Sequence, residues 1–141
     1  MLDLINTCFD ISAQDMRNYS PLTLAYIGDG VYDLIIRTLV VEKANRPANV
    51  LHKTTAEYVK AAAQAKIIMA IKDELTEDEA EVFKRGRNAK PYTVAKNASR
   101  ADYHKATGFE ALMGYLYLAG RHERMLSLIR RGMELMNDKT E

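Results

Sequence analysis

Cysteine, tryptophan, proline and net charge are all scarce in this sequence: one cysteine, no tryptophan, three prolines and a formal charge of +1 over 141 residues. The lone Cys8 excludes an intramolecular disulfide, and His52, His104 and His122 offer no zinc-ligand spacing, so a reducing, cytoplasmic setting is expected. Apolar runs stay short of the roughly 20 residues that span a bilayer, and Asp3 and Asp10 stand where a leader would carry basic residues, so neither a span nor a leader is expected. Twenty basic against nineteen acidic side chains give no overall attraction for a polyanion, so any such partner must be argued from how the charge is distributed.

What is present is an ordered, helix-forming chain. Hydrophobic residues make up 48% and charged residues 28%, a balance that excludes disorder, and the length suits one domain over 1–141 with a real core. No alternating strand pattern of useful length appears, so the expected fold is all-α. Ser20 and Pro21 read as an N-cap and first helical residue for an apolar helix over 22–41, expected to be mostly buried. The run from Asn49 to about Leu75 predicts a second helix, with Ala63, Ile67, Ala70 and Ile71 on one face. Thr76 and Glu79 have capping-box spacing for a helix to about Lys84. Gly86, Asn88 and Pro91 predict a loop or a sharply broken helix over 85–92, with a short helix near 93–99. Phe109 to Ala119 reads as an apolar helix stopped by Gly120, followed by an amphipathic helix over 121–136.

Two carboxylates fall inside apolar helices. Asp29 lies among Ile27, Val31, Leu34 and Ile35, expected to face the core, and a buried carboxylate is costly unless paired or metal-bound. Gly28 and Gly30 flank it at a cost of about 1 kcal/mol each relative to alanine, which predicts a close approach to that backbone. Glu110 repeats the pattern, with Gly114 one turn later. If the two acids converge, their repulsion demands a raised pKa or a cation, and oxygen ligands with retained waters suit Mg²⁺. Spacing alone leaves open a plainer reading, in which each acid pairs with a basic residue such as Arg37 or Arg121.

Lys84, Arg85, Arg87, Lys90, Lys96, Arg100 and Lys105 crowd into 84–105 against Asp102 alone, interleaved with Tyr92, Tyr103 and His104. Such a stretch can neutralise phosphates across the minor groove of duplex RNA, or it can be a solvated surface balancing the acidic run Glu77, Asp78, Glu79 and Glu81. Arg121, Arg124, Arg130 and Arg131 read as an exposed helix face. His52, Tyr26, Tyr115 and Tyr117 read as core groups with satisfied polar tips.

Three segments together resemble the Mini-ribonuclease III family: SPLTLAYIGDGVYDLIIR at 20–37, FKRGRNAK at 83–90 and DYHKATGFEALMGYLYLAGR at 102–121. The resemblance implies a ribonuclease III-like helical endonuclease domain without a separate double-stranded RNA-binding domain. It places the catalytic, metal-binding aspartate on Asp29 and the metal-binding glutamate on Glu110. Two positions depart from full-length ribonuclease III, with Ala25 for a metal-linked glutamate and Thr107 for an aspartate, as is usual in the Mini group. The resemblance further implies a Mg²⁺-dependent homodimer that hydrolyses double-stranded RNA to 5′-phosphate and 3′-hydroxyl ends during maturation of large-subunit (23S) precursor ribosomal RNA. Arg85, Arg87, Asn88, Lys90 and Lys105 are the candidate RNA-backbone contacts. Two other classes stay open on the residues alone: a non-catalytic dimeric double-stranded RNA-binding protein, consistent with the two missing acids, and a structural helical adaptor.

Overall fold

The structure is a computed structural model that describes residues 1–90 and 99–138. Those residues form α-helices joined by short turns, with no strand among them. A short N-terminal helix, α1 (Leu2–Cys8), buries none of its residues, and nothing in its sequence period announced it.

The apolar run after Ser20 is α2 (Pro21–Lys43), capped by the Ser20 hydroxyl oxygen, which accepts from the Thr23 amide at 3.2 Å. Its inward face is Leu24, Ala25, Gly28, Tyr32 and Ile36. That corrects the expected face: Ile27, Val31 and Ile35 are half-buried, and Leu34 and Asp29 are exposed. Sequence period located a stripe, but a helix hydrophobic on most sides leaves its rotation ambiguous.

The expected helix over 49–75 is two, α3 (Ala48–Val59) and α4 (Ala61–Ile71), followed by a 3₁₀ turn (Lys72–Glu74). The break needs neither glycine nor proline: Lys60 takes an extended conformation at ψ 153°. Side-chain hydrogen bonds, one long-range and one local, replace the helical ones lost there, because the Tyr32 hydroxyl donates to the Tyr58 carbonyl and the Gln64 amide donates to the Val59 carbonyl, both at 2.8 Å. Helix propensity is a weak prior against such partners.

The Thr76–Glu79 capping box opens α5 (Glu77–Asn88), which runs past the expected end at Lys84. Gly86 is a contact rather than a break: a Cβ there would lie 2.7 Å from Ala111 Cβ and 2.9 Å from Gly108 Cα. Of the expected short helix over 93–99, residues 93–98 lie outside the described residues, and Ser99 is the cap of the helix that follows.

At the centre runs α6 (Arg100–Leu118), capped by Ser99 and starting well before the expected Phe109. Phe109, Leu112, Met113 and Leu116 are fully buried, and Tyr32 meets Phe109 edge-on at 5.0 Å. Gly120, at φ 75°, ends it in a Schellman turn, with the Arg121 amide donating to the Leu116 carbonyl at 2.8 Å and the Gly120 amide to Tyr117 at 3.0 Å. The last helix, α7 (His122–Asp138), lays Met125, Leu128 and Ile129 on the core. Its arginines are structural: Arg124 and Arg121 pair with buried Glu79 at 2.9 and 3.7 Å, Arg131 with Glu74 and Arg130 with Glu134.

Candidate active site

Helices α2 and α6 cross with their backbones in close contact. A Cβ on Gly28 would fall on the Glu110 carbonyl, and one on Gly114 on the Leu24 carbonyl, so only glycines allow the two backbones to meet. The close approach expected around Gly28 is therefore α6 itself, whereas Gly30 has open space at its Cβ position.

This crossing sets the Asp29 and Glu110 carboxyl groups against each other. Asp29 is exposed and Glu110 half-buried. The expected burial of Asp29 is thus corrected; being the residue after Gly28, it leaves the packed face of α2 at the moment its neighbour enters it. The plainer pairing also fails, since Arg37 binds Asp33 at 2.7 Å and Arg121 binds Glu79. Among the described residues no cation pairs with either acid.

Burial, and after it the neighbouring Asp29, push the Glu110 carboxyl up to about 8, while the Gln64 amide favours its ionised form. A proton or a cation must compensate two carboxylates placed this way. The donor set fits a hard divalent cation: two carboxylates, one of them open to solvent, from which the waters that Mg²⁺ retains can come. Gln64 adds a buried oxygen, Oε1, that has no hydrogen-bond partner. Sequence reasoning missed Gln64; the available signal was one uncharged polar residue in the otherwise Ala, Ile, Met and Lys run of α4.

Neither substituted position adds an acid. Ala25 is buried with Leu24 and Ala111, and Thr107 is buried with its hydroxyl donating to the Tyr103 carbonyl at 3.0 Å. Among the described residues no group of three or more His, Cys, Asp or Glu could share a metal ion. Among the described residues the candidate site therefore has two carboxylates.

The basic candidates occupy the end of α5 and the start of α6. Arg85 and Asn88 are exposed on the last turns of α5, Lys90 is exposed just beyond, and Lys105 is half-exposed on α6. Arg87 lies over the Phe83 ring at 5.6 Å and reaches Asn88 Oδ1 at 3.4 Å. Gly86 seats this end of α5 on Thr107 and Gly108, just before Glu110 in α6. The cations therefore flank the carboxylate helix, none of those described pairing with either acid, and Arg85 and Arg87 stand on a helix where a loop was expected.

Tyr26 is 83% exposed and His52 is exposed, so neither is the core group expected. Tyr115 and Tyr117 are half-buried, with Tyr117 stacked on His122 at 5.3 Å. A cleft of about 780 Å³ between α2, α3 and α7, lined by Leu39, Leu51 and Met133 among others, contains neither carboxylate.

The chain is similar in sequence and fold to known proteins. The ribonuclease III domain family matches residues 22–121. A Mini-ribonuclease 3 of Thermoanaerobacter sp. is 45% identical over 91% of this chain and 90% of its own, and one of Clostridium tetani is 45% identical over 94% and 88%. A crystal structure of a Fusobacterium nucleatum protein superimposes with a TM-score of 0.78 at 30% identity, covering 86% of this chain and 97% of that one. The chain belongs to the ribonuclease III family, within its Mini-ribonuclease 3 group, and is an endoribonuclease.

Proposed function

We propose that this endoribonuclease is Mg²⁺-dependent, cuts double-stranded RNA as a homodimer, and acts in the maturation of large-subunit (23S) precursor ribosomal RNA. The observation that carries the metal-dependent chemistry is the Asp29–Glu110 pair, two acids brought together at a glycine crossing with no cation among the described residues to neutralise them. Asp29 and Glu110 would hold Mg²⁺, whose chemistry when bound is activation of water and stabilisation of charge on the scissile phosphate.

The chain's own residues divide the remaining work. Glu110, set in the core helix, is the rigid ligand; Asp29, open to solvent, is the one a phosphate can reach. Arg85, Arg87, Asn88, Lys90 and Lys105 hold the RNA backbone, reading shape across the minor groove. In the reaction a water oxygen bonds to phosphorus, the bond from phosphorus to the 3′ oxygen breaks, and the water's proton balances the departing alkoxide. The products carry 5′-phosphate and 3′-hydroxyl ends.

Two facts support a dimer. Tyr26, Gly30 and Leu34 form a stripe one turn apart along α2 on the face turned away from α6, with Tyr26 83% and Leu34 51% exposed. Gly30 has nothing near its Cβ position, which permits a second backbone to approach. A two-fold axis through such a face presents identical sites to the two antiparallel strands of a duplex. The ribosomal substrate follows from the family resemblance.

Cleavage of a perfect RNA duplex with Mg²⁺ and with chelator, in the natural protein and in Asp29→Asn and Glu110→Gln, tests the reading. Metal-dependent cutting lost in both variants is expected. A duplex bound but uncut by the natural protein with Mg²⁺ would overturn it in favour of a binding role, which the missing acids at Ala25 and Thr107 would then explain.

A further inference from the structure

We infer that Gln64 is a positioning residue of the Asp29–Glu110 site: its amide nitrogen orients the Glu110 carboxylate, and its amide oxygen accepts from water hydrating the cation. The inference rests on the metal-dependent reading above and goes beyond it in assigning a residue outside the two acids.

Gln64 is 2% exposed on α4. A primary amide has two N–H donors and one oxygen acceptor. One donor goes to the Val59 carbonyl at 2.8 Å, at the corner between α3 and α4, and the amide also acts on the Glu110 carboxyl, favouring its ionised form. Oε1 is buried with no partner. The orientation is fixed by its neighbours, because a flipped amide would turn its oxygen toward two acceptors, the Val59 carbonyl and the Glu110 carboxylate.

A role confined to the α3–α4 corner accounts for one donor only. It explains neither the amide's influence on Glu110 nor a buried oxygen left unpaired, which is costly wherever water cannot reach it. Water on the carboxylate side resolves both, and a hydrated Mg²⁺ brings such water. The neutral amide also suits this site: with Ala25 and Thr107 supplying no charge, Gln64 holds Glu110 in place without adding a third negative group to the pair's repulsion.

The test is a Mg²⁺ titration of the RNA-free protein at fixed pH and ionic strength, following the melting temperature, with Gln64→Met as the similarly sized variant lacking the amide and Glu110→Gln as reference. The natural protein should be stabilised by Mg²⁺ and Glu110→Gln should not. Gln64→Met should melt lower without metal, through loss of the corner bond, and need about tenfold more Mg²⁺ for its half-maximal response, as outer-shell substitutions do. Gln64→Asn, which withdraws the amide by one methylene, should shift the midpoint the same way and serves if Gln64→Met does not fold. A folded Gln64 variant with a lower melting temperature but a midpoint within twofold of the natural protein would reduce Gln64 to the corner role and overturn the inference alone. No response to Mg²⁺ in the natural protein, or an undiminished one in Glu110→Gln, would overturn the metal reading and this inference together.

Discussion

Glu110 carries the sharpest consequence of its surroundings. Its carboxyl is held near 8 by burial and by Asp29, against an ordinary value of 4.5. In metal-free protein the neutral form is therefore favoured on folding. That contribution is fully present below about pH 4.5 and is lost as pH rises through about 8, with a limiting slope of about 1.4 kcal/mol per pH unit. With chelator present, the melting temperature should fall between pH 5 and 8 in the natural protein and change less in Glu110→Gln. Added Mg²⁺ competes with the proton, so its stabilising effect should grow over the same interval. A metal-free pH profile identical in the two proteins would show that Glu110 titrates normally. Arg87 belongs to a different process. Arg87→Ala should weaken duplex binding and lower the salt-dependence slope by about one phosphate contact, with little change in the rate at saturating RNA; unchanged binding would remove Arg87 from the interface.

At the scale of elements, the α2–α6 crossing is what makes two distant acids neighbours. Gly28→Ala would drive a methyl into the Glu110 carbonyl, and backbone has no rotamer with which to yield. The helices must separate, so a loss of about 3 kcal/mol or more and a collapse of cleavage are expected, measured by denaturant unfolding and duplex cutting. Gly30→Ala, one residue of Asp29 further on but facing open space, should leave the folded monomer unharmed or gain about 1 kcal/mol from helix propensity. Equal destabilisation by both would mean that the crossing is not where the packing is tightest. Sequence period and caps made much of this legible: the Ser20 start, the Thr76–Glu79 box, the Gly120 stop, and the two acids on two core-packed helices. Rotation and interruption were not legible. Whether Asp29 faced inward depended on which side of an evenly apolar α2 met α6, and the Lys60 corner depends on a hydrogen bond that Tyr32 supplies from far along the chain and on a local one from Gln64. Gly86 reads locally as a breaker, and only Gly108 and Ala111 across the contact make it a seat for α5.

For the whole molecule, the question is what covers the outer face of α2. Tyr26, Gly30 and Leu34 lie on it at intervals of one turn, exposed in a chain whose other large aromatic on that helix, Tyr32, is fully buried. An exposed tyrosine beside an open glycine is suited to self-pairing about a two-fold axis, where each ring can enter the space the other subunit's glycine leaves. A charge at position 26 would put two like charges near that axis. Tyr26→Glu should therefore shift the protein from dimer to monomer by sedimentation or light scattering while leaving the monomer's helicity unchanged. The consequence for cutting follows from geometry: one subunit holds one carboxylate pair, so the monomer should nick one strand per encounter, whereas the dimer should break both strands of the duplex together. Separating nicked from fully cut product on native and denaturing gels reads that ratio directly. A Tyr26→Glu protein that remains dimeric and still cuts both strands would move the subunit contact off this face.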